Sequence, residues 1–90
     1  MSKVKIPQPL RELTDGKEEV FVEGKTVGDV LKGLEKKHPE IKERLRNDEN
    51  ELRRFINIFV DGNDIRHLDG EFTPVKDKTE VTILPAIAGG

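Results

Sequence analysis

Apolar and polar positions recur at two periods along this chain, and the switches between them mark its elements. Val4 and Ile6, with Leu10 beyond, predict a first strand bent or closed by Pro7 and Pro9. After the turn signal Asp15-Gly16, Glu19-Val20-Phe21-Val22-Glu23 alternates at period two and stops at Gly24. The two segments form an N-terminal hairpin with a long connection. The period then lengthens, with Val27, Val30, Leu31 and Leu34 forming a single apolar helical stripe. Thr26 stands at the N-cap, with Asp29 three residues later in the spacing of a capping box. Gly33 costs this helix about 1 kcal/mol relative to Ala, whether for close packing or merely as a tolerated residue. Pro39 disfavours helical angles at His38 and ends the first helix there. Pro39 also opens a second helical piece with Ile41 and Leu45 facing inward. Residues 47–51 are polar and read as a loop.

Residues 54–60 read Arg-Phe-Ile-Asn-Ile-Phe-Val and are the clearest strand. Ile56, Ile58 and Val60 share one face, and Phe55, Asn57 and Phe59 the other. Residues 61–64 predict a turn, 65–68 a short strand, and Asp69-Gly70 a further turn. Residues 80–84 are the last strand, with Val81 and Ile83 on one side and Thr82 and Leu84 on the other. The order of elements is an α+β pattern, in which one principal helix lies across a mixed sheet.

Ninety residues support one small core. Apolar residues make up 33% of the chain and charged residues 38%, so most of the surface is solvated charge. The 16 basic and 18 acidic side chains are interspersed and leave a formal net charge of −2. With no basic stripe, and neither Trp nor Tyr to stack on bases, nucleic acid is not an expected partner. No apolar stretch approaches the roughly 20 residues of a membrane span, so no membrane partner is expected either. The first seven residues lack the apolar segment of a secretory signal, and the expected compartment is the cytoplasm.

Autonomous catalysis finds little material here. Without cysteine there is no disulfide, thiolate metal site or sulfur nucleophile. Ser2 is the only serine and sits near a terminus expected to be mobile. His38 and His67 have no second ligand or acid–base partner at a recognisable spacing and read as surface residues. Residues 61–64 do not match a calcium loop, because the glycine is misplaced and Ile65 occupies a ligand position. The informative chemistry lies at the other end. Gly89-Gly90 follows an apolar run, Val81-Thr82-Ile83-Leu84-Pro85-Ala86-Ile87-Ala88, which sets an α-carboxylate on a thin arm. Glycine lacks a Cβ and can enter a narrow cleft. Pro85 has no N–H and is expected to end the sheet ladder, giving a body of residues 1–84 and an arm of residues 85–90. Ala86 and Ala88 keep that arm slender.

Residues 55–62, with the asparagine-bearing strand, and the tail Glu80 to Gly90 together resemble a ubiquitin-like β-grasp protein. More closely, the chain resembles a sulfur carrier of the MoaD/ThiS family, with a tail similar to those of the cysteine-biosynthesis carriers and of molybdopterin-synthase small subunits. The resemblance implies a sheet in which the first and last strands lie side by side in parallel. It also implies that a partner adenylyltransferase, related to ubiquitin-activating enzymes, uses ATP to adenylate Gly90, after which a sulfur donor displaces AMP. The chain itself would bind no cofactor and would be a carrier, not an enzyme. The resulting thiocarboxylate would deliver sulfur to a biosynthetic enzyme. A pyridoxal-phosphate cysteine synthase is favoured; a molybdopterin synthase large subunit, thiamine-thiazole synthesis and tRNA thiolation remain open. The alternative is a ubiquitin-like modifier joined through Gly90 to lysines.

Beside Gly89 and Gly90, alternation gathers Phe55, Phe59 and Leu84 on the sheet face away from the helix. They form either a docking patch for the activating enzyme or a second small core covered by residues 8–15. Pro85, Ala86, Ile87 and Ala88 are the expected partner contacts on the arm. Arg53, Arg54 and Arg66 read as solvated surface.

Overall fold

The computed structural model describes residues 1–86. The elements are β1 (Ser2–Lys5), a 3₁₀ segment (Gln8–Thr14), β2 (Glu19–Val22), α1 (Val27–Lys37), α2 (Pro39–Leu45), β3 (Ile56–Val60) and β4 (Asn63–Asp64). Two 3₁₀ turns (Ile65–His67 and Gly70–Phe72) then lead to β5 (Glu80–Pro85). The sheet order is β2-β1-β5-β3-β4, with β1 and β5 parallel and the other neighbours antiparallel.

Local sequence explains where α1 begins and ends. Thr26 Oγ1 accepts from Asp29 N–H at 3.2 Å, and Asp29 Oδ2 accepts from Lys25 N–H at 3.2 Å. The reciprocal bond thus falls one residue before the N-cap. Val27, Val30, Leu31 and Leu34 are fully buried against the inner sheet face, whose Val4, Val20, Val22, Ile58, Val81 and Ile83 are also in the core. Gly33 is a close-approach position, because a Cβ there would overlap Val22 Cγ1 on β2. Pro39 restarts the chain as α2, which buries Ile41 and Leu45.

An ionic cluster centred on the buried Arg46 joins α1, the end of α2 and the Gly70–Phe72 turn. Arg46, 6% exposed, donates Nε to Glu35 Oε2 at 2.7 Å and Nη2 to Glu71 Oε1 at 2.8 Å. Its Nη1 donates to Asn50 O at 3.1 Å. The hydrogen bond that Arg46 donates to Glu71 leads the effects that raise the Arg46 pKa above its ordinary value; burial opposes it, and Glu35 adds to it.

Several sequence expectations are corrected. Leu10 lies in the 3₁₀ segment, not in a strand; β1 ends before Pro7 and Pro9, and Arg11 Nε bonds back to Ile6 O. Residues 65–67 form a 3₁₀ turn because Asp64 Oδ1 accepts from Arg66 N–H at 2.8 Å, a local bond that competes with strand pairing. Asn63 and Asp64 belong to β4, and the turn is the Asp61-Gly62 pair. Both have positive φ, 47° and 88°, as a two-residue hairpin loop requires. Ser2 is not mobile surface. It is buried in β1 opposite Val22, while the Met1 ammonium bonds Asp77 at 2.7 Å. β5 includes Pro85, and backbone pairing reaches Ala86 N–H, which donates to Phe55 O. The ladder therefore passes the proline that was expected to end it.

Two measurements check this packing. Gly33→Ala should lower the denaturant midpoint, because overlap with the branched Val22 side chain costs about 1–3 kcal/mol against a helix gain of about 1 kcal/mol. A raised midpoint would contradict the close approach. Arg46→Met strands the Glu35 carboxylate and should cost about 3–5 kcal/mol in urea unfolding, most of it recovered on adding Glu35→Leu.

Candidate functional site

Alternation in β5 decides what the chain presents. Val81 and Ile83 are fully buried, so Thr82 and Leu84 must face outward. Cross-strand register builds the rest of that outer face. Phe59 stands opposite Thr82, and Asn57 opposite Leu84. On the other side Lys5 stands opposite both Thr82 and Glu19, and Lys3 opposite Glu80 and Phe21.

The outer face carries a charged band, with the exposed Phe21 beside it on β2, and an apolar half. Lys3 Nζ lies 3.5 Å from Glu19 Oε2, and Lys5 Nζ lies 3.5 Å from Glu80 Oε1. Such exposed pairs contribute about 0–1 kcal/mol each, but they place a polar band across β2, β1 and the start of β5. Beyond the band lie Phe59, half-buried, Leu84, 47% exposed, and Phe55, 48% exposed in the turn just before β3. The 3₁₀ segment Gln8–Thr14 does not make these residues a second core. It packs against α2, with Leu10 inside the main core. The apolar half therefore stays open to solvent.

The root of the arm lies beside this patch. Pro85, half-buried, pairs with Ile56; Ala86 is exposed and bonded through its N–H to Phe55 O. Ile87, Ala88, Gly89 and Gly90 lie outside the described residues. Four residues span at most about 14 Å, so a partner seated on the patch must hold its reacting groups within that reach of Ala86 to use Gly90.

Arg66 is exposed as expected but is not merely solvated. It donates Nη1 to Asn57 Oδ1 at 2.7 Å and Nη2 to Arg54 O at 3.0 Å. Arg53 donates Nε to Glu43 O at 3.0 Å, and Arg54 is exposed. Two exposed aromatics were not singled out from the sequence. Phe21, 53% exposed, was legible from its place between the buried Val20 and Val22. Phe72, 85% exposed on a 3₁₀ turn, has no periodic neighbours to reveal it. Among the described residues, no group of His, Asp and Glu side chains is placed to hold a metal ion, and no helix is long and apolar enough to cross a membrane.

The five-stranded mixed sheet, its parallel central pair and the helix across one face define a ubiquitin-like β-grasp fold. The ThiS family description matches residues 4–90, and the chain belongs to the ThiS family. It is 43% identical over 89 residues to the sulfur carrier protein CysO of Mycobacterium tuberculosis, covering 97% of this chain and 96% of that protein. Small archaeal modifier protein 3 of Haloferax volcanii is 38% identical over 65 residues, covering 72% of this chain and 70% of that protein. Among solved structures, a chain of the Amycolatopsis orientalis BexX/CysO complex superposes with a TM-score of 0.91 at 42% identity, covering all of both chains.

The openness of the patch predicts a graded response to charge. Leu84→Asp and Phe55→Asp should each change unfolding free energy by less than about 0.5 kcal/mol. Phe59→Asp, which buries part of a carboxylate between β5 and β4, should cost about 1–3 kcal/mol. Equal losses at all three positions would mean that the face is covered.

Proposed function

We propose that this chain is a sulfur carrier whose terminal Gly90 carboxylate is activated by a partner and converted to a thiocarboxylate. The observation that carries the reading is the position of β5. This strand runs down the centre of the sheet and delivers the residues that follow it from the edge of an exposed apolar patch. Similarity to CysO supports the same reading.

The chemistry follows from what a carboxylate lacks. At neutral pH the α-carboxyl is ionised, with a reference pKa of about 3.3–3.7, and its carbon resists an incoming anion. In the proposed first step a Gly90 oxygen attacks the α-phosphorus of ATP on the adenylyltransferase, and pyrophosphate leaves. In the second, sulfur from a hydrosulfide-equivalent donor bonds to the acyl carbon, the acyl–oxygen bond breaks, and AMP leaves. The product is a thiocarboxylate, a sulfur nucleophile on a chain that has no cysteine. ATP belongs to the partner; this chain supplies the acyl group and the docking surface, and works as a carrier in the cytoplasm. The outer-face residues Phe55, Phe59 and Leu84 seat the adenylyltransferase, while Pro85, Ala86, Ile87 and Ala88 line its approach to Gly90. The favoured acceptor is a pyridoxal-phosphate cysteine synthase.

The similarity to an archaeal modifier favours a second reading, conjugation through Gly90 to lysines of other proteins. Activation is shared; an amine then takes the place of sulfur as the attacking group. Gly-Gly remnants on lysines in digests of native cells would mark this use.

The test is ATP-dependent adenylation by the adenylyltransferase of the same cell. Wild-type chain should yield an AMP-linked form, and chain extended by one bulky residue after Gly90 should yield none. Leu84→Asp should raise the KM for the carrier about tenfold or more, the scale on which a central apolar contact acts in an interface. Adenylation that survives the added residue overturns the proposal.

A further inference from the structure

β3 is covered on its outer side only at its far end, since β4 pairs there through just Phe59–Asp64 and Val60–Asn63. Upstream, the carbonyls of Arg54 and Ile56 lie beyond the reach of that short strand. Arg66, on the 3₁₀ turn that follows β4, fills the gap with one planar group. Its Nη2 donates to Arg54 O at 3.0 Å and to Ile56 O at 3.2 Å, and its Nη1 donates to Asn57 Oδ1 at 2.7 Å. The turn itself is held by the bond from Arg66 N–H to Asp64 Oδ1.

The same short stretch is gripped from its other side by the end of β5. Leu84 pairs with Asn57, Pro85 with Ile56, and Ala86 N–H donates to Phe55 O. Pro85 has no N–H to give, so among the described residues the Ala86 bond is the last backbone tie toward the arm. That tie depends on Phe55 O, which sits in a turn between two residues whose carbonyls Arg66 holds. A rigid guanidinium fork suits this task, because it engages several acceptors from one fixed plane.

We propose that Arg66 is a positioning residue for carrier activation. It stiffens residues 54–57 from the sheet edge, and so fixes both the presentation of Phe55 and the point from which the arm departs. This deepens the proposed function and rests on it for the effect on activation, while the clamp itself can be read on the isolated chain.

The experiment has two readouts. In the free protein, Arg66→Ala should speed hydrogen exchange at Ala86 N–H about fivefold or more, the scale of one ordinary hydrogen bond. The Val81 and Ile83 amides should keep their protection and report an intact fold. Arg66→Gln, which retains donors but not the fork, should show a smaller increase, and serves if the alanine variant does not fold. With the adenylyltransferase and ATP, Arg66→Ala should lower kcat several-fold with a smaller rise in KM, because Phe59 and Leu84 still dock while Phe55 loses its fixed presentation. Unchanged exchange at Ala86 in a folded variant overturns the clamp, whatever the activity. Changed exchange with unchanged kcat overturns the positioning role. A wild-type chain that is not adenylated at all removes the proposed function and, with it, the role in activation; the exchange result still decides the clamp.

Discussion

The pairing of β5 with β1 on one side and β3 on the other is the constraint on which the structure depends. It places the last strand at the centre of the sheet, with Val81 and Ile83 fully buried beneath α1. Burying each such side chain contributes about 1.5–3 kcal/mol, so the strand cannot slip without exposing its inner set. The hairpin loop adds a second anchor, since Asp61 exchanges bonds with Glu80 through its N–H and its Oδ1 at the start of β5. A segment held at its origin, along both edges and through its inner face brings Pro85 and Ala86 to one fixed place.

The same register determines what surrounds that exit. Period two forces Thr82 and Leu84 outward once Val81 and Ile83 go in, and pairing with β3 brings Phe59 and Asn57 beside them. The Lys3–Glu19 and Lys5–Glu80 pairs set a polar band beside the apolar patch at the root of the arm, with the exposed Phe21 standing apart from that patch on β2. Catalytic groups would add little to such a body. In the proposed function its part is to hold Ala86, from which the chain continues to the Gly90 carboxylate, beside a surface that a second protein can recognise.

Much of this was legible in the sequence because the signals are local. Thr26 and Asp29 begin α1, Pro39 separates α1 from α2, and alternation in residues 56–60 and 80–84 sorts inward from outward side chains. The misread segments are those where side chains make short-range bonds that periodicity does not encode. Asp64 converts residues 65–67 into a 3₁₀ turn, and two prolines with Arg11 turn Leu10 away from strand. Tertiary partners were hidden for a different reason. Strand order, the Glu35–Arg46–Glu71 cluster and the hold of Arg66 on β3 join residues far apart in the chain, and no spacing announces them. The parallel β1–β5 pair came from family resemblance, not from pattern.

The central claim is that the terminal carbonyl carbon of Gly90 is the reacting atom, carried by a body that performs no chemistry of its own. Intact mass measurement of the protein isolated from its native cells tests this most directly. The account requires a population in which one oxygen is replaced by sulfur, localised to the C-terminal peptide and lost on treatment with an alkylating or hydrolysing agent that consumes thiocarboxylates. A chain whose terminal peptide carries only the free carboxylate, in cells actively assimilating sulfur, would contradict it.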